Sequence, residues 1–171
     1  MEIEINKSVG SLFRTALRGL ASGVVIISSR NAEGRFAMSA TSITSLSMDP
    51  PSLLVCVNKQ ASIYQSLQPG NDFAISILSK QDQMLAEMCG GKAQGEARFA
   101  SSRWLDDSGL PILSGAQATI RCKIEERLSY GTHGVFIGSV KSCEVSDTID
   151  PLVYLDGRYV GIDSMSTCSE V

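Results

Sequence analysis

Six hydroxyls fall within nine residues of this chain: Ser39, Thr41, Ser42, Thr44, Ser45 and Ser47 stand between apolar strand-like runs, just before the break Asp49-Pro50-Pro51. A hydroxyl both donates and accepts, so hydroxyls gathered on one edge of a sheet can satisfy the carbonyls and ring nitrogens of a heterocyclic cofactor, or the oxygens of a phosphate. The plainer alternative is an edge strand whose hydroxyls face water. A second candidate, Asn58-Lys59-Gln60-Ala61-Ser62, follows a buried strand and opens a short helix. The unpaired N–H groups of a helix start, the charge of Lys59 and the hydroxyl of Ser62 together suit one phosphate group. Ordinary capping by Ser62 beside a solvated lysine is the alternative.

His133 is the one histidine and stands between Gly131 and Gly134 at a strand start. There it can hold a carboxamide or a phosphate, or donate a proton, or simply lie on the surface. Arg98-Phe99 and Trp104 form a cation-plus-aromatic patch that could stack on a ring, with core packing as the default alternative.

Several chemistries rank low. No G-x-S-x-G elbow precedes a helix, which argues against a serine hydrolase. No G-x-G-x-x-G follows the first strand, and GGKAQG lacks the spacing and ending of a phosphate-binding P-loop. A single histidine rules out zinc sites with two or three histidine ligands, and no metal site is expected. A formal net charge of -3, with no basic stripe, argues against nucleic acid as partner. The apolar runs GVVII and LLVCV are strand-length, so no membrane span is expected, and MEIEINKS lacks the apolar stretch of a signal peptide. The five cysteines, Cys56, Cys89, Cys122, Cys143 and Cys168, are odd in number and contain no C-x-x-C pair. Reduced thiols in the cytoplasm are expected.

The elements that must position these residues follow from periodicity. Val9, Leu12, Phe13, Ala16, Leu17 and Leu20 recur at helical spacing and predict an N-terminal amphipathic helix over 1–22, ending near Gly23. GVVIISS and FAMSA, joined by a turn carrying Asn31 and Gly34, read as a hairpin. SLLVCV is a buried strand, SIYQSL a short helix and DFAISIL another strand. Ser79 and Asp82 form the signature of a capping box opening the helix KQDQMLAEMC, which stops at Gly90-Gly91. QATIRCKIEERLSY and HGVFIGSVKSCEV are two long strands joined through Tyr130-Gly131-Thr132, with LVYL as a further short one. Six or seven strands, two or three helices and no β-α-β alternation predict a mainly β fold: an antiparallel barrel with helices packed on its outside. One domain is expected over 1–171, with a flexible tail over 164–171.

In order, the segments FRTALRGLASGVVIIS, MSATSITSLSMDPPSLLVCVNKQASIYQSL, ARF, GLPILSGAQATIRCKI, GTHGVFIGSV and PLVYLDGRY resemble the flavin reductase family with the FMN-binding split barrel. The resemblance runs from about Leu12 to Gly161 and is greatest to reductase components of two-component flavin-dependent monooxygenases, those for 4-hydroxyphenylacetate or phenols. It implies a split, antiparallel Greek-key β-barrel that forms a homodimer, with the flavin in a groove near the subunit interface. It also implies direct hydride transfer from NADH or NADPH to FMN or FAD, and delivery of reduced flavin to a separate monooxygenase. Reduction of ferric iron or a corrinoid, a non-enzymatic flavin-binding module, and an oxidase resembling the pyridoxamine-phosphate oxidases are the alternatives.

By matching positions, the resemblance places Met38, Ser39, Ala40, Thr41 and Ser42 against the isoalloxazine and Ser45 toward the ribityl or phosphate region. It places Cys56, Val57, Asn58, Lys59, Ala61 and Ser62 at the phosphate end, with Arg98 and Phe99 near the flavin. His133 matches the histidine of a G-[DT]-H motif implicated in nicotinamide dinucleotide binding, and Tyr154, Arg158 and Tyr159 complete that pocket. The chain departs from the common pattern at Thr41 for Asn, Thr132 for Asp and Lys59 for Arg.

Overall fold

The computed structural model describes residues 2–162, with side chains from residue 9 onward. The tail expected over 164–171, with Cys168, lies outside the described residues. After the helix α1 (Glu2–Arg18) come β1 (Ser22–Gly23), β2 (Val25–Asn31), β3 (Gly34–Ala40), β4 (Ile43–Met48), β5 (Pro51–Asn58) and β6 (Asp72–Ile77). The short helix α2 (Gln83–Glu87) follows, then β7 (Trp104–Asp107), β8 (Leu110–Leu113), β9 (Ala118–Tyr130), β10 (His133–Val145), β11 (Val153–Leu155) and β12 (Arg158–Val160).

Seven strands form one antiparallel sheet in the order β3-β2-β6-β9-β10-β5-β4. Its two edge strands, β3 and β4, are joined by Thr41 and Ser42 alone. Three steps of about 3.8 Å put Ala40 and Ile43 within about 11 Å of each other. The sheet must therefore curl until its edges meet at that end. Elsewhere β3 and β4 do not pair, so the barrel is split. The connection from β5 to β6 crosses the barrel end and inserts a 3-10 turn over Ser62–Gln65, with Ile63, Tyr64 and Leu67 buried.

Strand periodicity sorts the core into two layers. Val25 and Ile27 face the barrel interior with Val55, Val57, Phe73, Ile75, Ile124 and Phe136. Val24, Ile26 and Ala37 face outward onto Leu78, Leu85, Cys89, Phe99, Trp104 and Leu152. Burial on both faces explains why β2 reads as an unbroken apolar run.

Two glycines of β10 admit interior aromatics. A Cβ at Gly138 would stand 2.6 Å from the Phe73 ring, and one at Gly134 2.8 Å from Tyr64. Phe73 is fully buried and has nowhere to move. Gly138→Ala is expected to cost about 2 kcal/mol by overpacking, read as a lower denaturation midpoint; an unchanged midpoint would contradict this packing.

Two helices and two hairpins differ from the sequence reading. The N-terminal helix ends at Arg18 instead of near Gly23, and Val9, Leu12, Phe13, Leu17 and Leu20 are exposed instead of packed on the barrel. The helix expected from Lys80 begins as a 3-10 turn over Lys80–Asp82, is α-helical only over Gln83–Glu87, and widens into a π turn over Met88–Lys92. Gly91, at φ 130, ends it. Two hairpins, β7–β8 and β11–β12, were not anticipated as pairs; Ser108-Gly109 and Asp156-Gly157 turn them with positive φ at both loop residues, as primed hairpin turns require.

Candidate functional site

The hydroxyl segment divides by strand geometry. Met38 and Ala40 lie in the barrel wall against the interior core. Ser39 points the other way and donates from Oγ to the Ala86 carbonyl at 2.6 Å, which fixes β3 to α2. Thr41 and Ser42 form the exposed link between the sheet edges, and the Ser42 carbonyl accepts the Cys56 N–H at 3.0 Å. Thr44 and Ser45 are exposed on the edge strand β4, so the water-facing edge of the plainer reading is present. Those hydroxyls are equally open to a ligand.

The Asn58–Ser62 segment lies next to this link, since β5 pairs with β4. The Val57 side chain is in the core, and Cys56 is half-buried. Asn58 Oδ1 accepts the Gln60 N–H at 2.9 Å, and the Asn58 carbonyl accepts the Ala61 N–H at 3.0 Å. Lys59 is spent within the protein: its N–H donates to the Thr132 carbonyl at 2.9 Å and its Nζ to the Gly131 carbonyl at 2.7 Å. Ala61, at the start of the 3-10 turn, supplies no side-chain cap. The Arg98 guanidinium reaches this start, donating to Ser62 Oγ at 3.3 Å, to the Ala37 carbonyl on β3 at 2.6 Å and to the Ala93 carbonyl at 2.9 Å. Arg98 thus bridges the open seam of the barrel. Phe99 is buried, 4.8 Å from the Trp104 ring and beneath the Arg35 guanidinium at 4.3 Å, so its ring serves the outer core.

His133 opens β10 directly opposite Asn58, and its Nδ1 shares a hydrogen bond with Thr132 Oγ1 at 2.9 Å. That bond fixes the ring and leaves Nε2 to the exterior. Tyr154, Arg158 and Tyr159 lie elsewhere, on the small sheet β1-β11-β12. Tyr154 and Tyr159 pack edge to face at 5.2 Å.

These tyrosines are shared by two clefts. One, of about 210 Å³, is lined by Val24, Ser39, Ala40, Thr41, Gly90, Tyr154 and Tyr159, and joins the hydroxyl segment to the tyrosine pair. The other, of about 580 Å³, has Gln83, Glu87, Lys92 and Arg158 on its walls with Gly90, Tyr154 and Tyr159. Gly90 lines both; a Cβ there would meet Tyr159 Oη at 3.5 Å and Ser39 Cβ at 3.9 Å. Burial, then the neighbouring Tyr154, Glu87 and Cys89, raises the Tyr159 phenol above its ordinary range, so it stays a neutral donor. His133 does not line either cleft. The cleft residues Gln83, Glu87, Gly90 and Lys92 were missed because only their spatial proximity to Tyr159 marks them.

Other chemistries find little support. Burial pushes the Cys89 thiol up to about 11 and the Cys122 thiol to about 12, so neither is a nucleophile at neutral pH. Among the described residues no group of three or more His, Cys, Asp or Glu could hold a metal, and no helix is long and apolar enough to cross a membrane. The open hydroxyls of Thr41, Ser42 and Ser45, and the uncapped 3-10 start beside Arg98 and Ser62, fit the polar edge and the phosphate of a flavin.

A curled, split antiparallel barrel with polar groups along its seam can hold a flat polar cofactor, and residues 17–163 match the flavin reductase like domain. The chain belongs to this family. It is 36% identical over 156 residues to the reductase component of an FADH(2)-dependent resorcinol hydroxylase from Rhizobium sp. (strain MTP-10005), covering 90% of this chain and 87% of that one. It is 34% identical over 148 residues to the FMN reductase (NADH) RutF of Pseudomonas syringae pv. syringae (strain B728a), covering 86% and 83%. The crystal structure of BorF, the flavin reductase component of a bacterial two-component tryptophan halogenase, superposes with a TM-score of 0.81 at 29% identity, covering 90% of this chain and 98% of that one.

Proposed function

We propose that this chain is an NAD(P)H-dependent flavin reductase that reduces FMN or FAD and supplies reduced flavin to a separate oxygenase. The observation that carries this reading is the continuous polar seam from Thr41–Ser42 through Cys56 to Ser62 and Arg98, on a barrel of the flavin reductase family. Relatives named for FADH(2) and for FMN stand at near-equal identity, which supports accepting both flavins. The four described cysteines are all unpaired, in keeping with a reducing cytoplasm.

In this reading Met38, Ser39 and Ala40 line the ring through their backbone, Thr41 and Ser42 through their exposed hydroxyls, and Ser45 lies toward the ribityl chain. Cys56, Val57, Asn58, Ala61 and Ser62 hold the phosphate end, Val57 through its backbone and Lys59 by fixing the Gly131–Thr132 turn beside them, with Arg98 and Phe99 behind. Tyr154, Arg158, Tyr159 and His133 hold the nicotinamide dinucleotide. When bound together, the two cofactors supply the redox chemistry themselves, by hydride transfer. The protein's part is to bind, to orient and to keep water out. Hydroxyls and backbone N–H groups of Thr41–Ser45 place donors where negative charge accumulates, which is electrostatic preorganisation. No side chain needs to act as acid or base.

His133 and the tyrosine cleft form one site only if something brings them together, and a homodimer is the arrangement proposed for this. The exposed apolar stripe Leu12, Phe13 and Leu17 of α1 supports such an interface. Leu12→Asp with Phe13→Asp is expected to shift the protein from dimer to monomer in light scattering; dimers in both would remove α1 from the interface.

His133→Ala tests the nicotinamide assignment. Its KM for NADH is expected to rise about tenfold, a loss of about 1.4 kcal/mol, while the KM for flavin is unchanged. Wild-type NADH kinetics would show that His133 has no such role.

A further inference from the structure

The larger cleft carries a charge pattern that flavin binding does not use. Lys92 Nζ lies 2.6 Å from Glu87 Oε2, and Gln83 Nε2 donates to Glu87 Oε1 at 3.0 Å. Arg158 Nη2 lies 2.9 Å from Asp156 Oδ2, and Arg18 Nε holds the other oxygen of the same carboxylate at 2.8 Å. Each cation that lines the cleft is thus already matched to a carboxylate. The bonds from Gln83 and Lys92 hold the Glu87 carboxyl below its usual range, so it is anionic at neutral pH.

A cleft of about 580 Å³ with aromatic and polar walls is of a size that holds part of a dinucleotide. In Rossmann dinucleotide sites an acidic side chain accepts the ribose 2′-hydroxyl and repels a 2′-phosphate, whereas a nearby Arg accommodates the phosphate; the same electrostatics hold for an acidic or a cationic side chain on any fold. We propose that Glu87 is a specificity-determining residue: it accepts the 2′-hydroxyl of the adenosine ribose, neutralises Lys92, and so makes this cleft select NADH over NADPH. This rests on the reading that the cleft of Tyr154, Arg158 and Tyr159 takes the dinucleotide.

The two partners make opposite predictions. Glu87→Gln keeps the shape, removes the charge and frees Lys92 for a phosphate; Lys92→Met leaves Glu87 uncompensated. Calorimetric titration of each folded variant with NAD⁺ and NADP⁺, beside the KM for NADH and NADPH, reads the effect. Glu87→Gln is expected to lower the ratio of the NADP⁺ to the NAD⁺ dissociation constant about tenfold, and Lys92→Met to raise it, with the KM ratio following. Tyr154→Ala is the control for the underlying reading and should weaken both dinucleotides alike. If Tyr154→Ala weakens both while Glu87→Gln leaves the ratio unchanged, Glu87 does not select and the cleft assignment stands. If Tyr154→Ala weakens neither, the cleft is not the dinucleotide site and the selection by Glu87 falls with it. A wild-type protein that binds NADP⁺ at least as tightly as NAD⁺ also overturns the proposal.

Discussion

Replacing Arg103 by Met is expected to lower the thermal midpoint by roughly 6–12 °C, from a loss of about 3 kcal/mol at 2–4 °C per kcal/mol for a chain of this size. The Asp82 side chain is wholly buried and its carboxylate is bound by Arg103, by the Ser79 N–H at 3.0 Å and by Ser79 Oγ at 2.9 Å. Without the guanidinium a charge is left in the interior with two neutral donors. Arg103 is itself one-third exposed and also donates from Nε to the Ser114 carbonyl at 2.8 Å, which places the cost at the lower end of the range for breaking a buried pair. Asp82→Asn added to Arg103→Met should recover part of the loss by removing the unpaired charge. A single variant that melts like wild type would show that the pair contributes no net stability. The effect reaches the clefts, because Asp82 starts the turn that carries Ala86, whose carbonyl anchors Ser39, and Gly90, which lies between Ser39 and Tyr159.

Gly90→Trp is expected to reduce kcat/KM for NADH oxidation about 100-fold while the thermal midpoint holds. Gly90 lines both clefts, and its missing side chain is the gap between Ser39 and Tyr159. A methyl group there makes only ordinary contacts, so Gly90→Ala should cost far less; an indole fills the gap and separates the hydroxyl segment from the tyrosine pair. Steady-state kinetics of both variants, each shown to melt like wild type, check this. Equal activity in the tryptophan variant would mean that turnover does not use the space beside Gly90.

The barrel was largely legible because its strands carry local signals. The β9–β10 hairpin shows β-branched residues in two long runs around Gly131, and the structure pairs Tyr130 with His133 across that turn. The capping pair Ser79 and Asp82 was equally readable, although the helix it starts is short. What could not be read was long-range. Nothing local to Asp82 announces Arg103, and nothing local to β3 and β4 says that they are opposite edges of one sheet. Ser108-Gly109 and Asp156-Gly157 are turn-forming pairs, but each closes strands of three or four residues, too short for periodicity to show. Arg98 and Phe99 show the limit for the site. Adjacent in sequence, one spans the barrel seam and the other packs under Arg35 and against Trp104, a division that only the tertiary contacts make.

The polar seam between Thr41 and Ser62 remains the central feature, and its occupant is testable in one assay. The purified protein, given NADH and either FMN or FAD, is expected to consume NADH, seen as loss of its near-ultraviolet absorbance, at a rate that saturates with flavin. Absence of NADH consumption with both flavins would contradict the assignment as a flavin reductase.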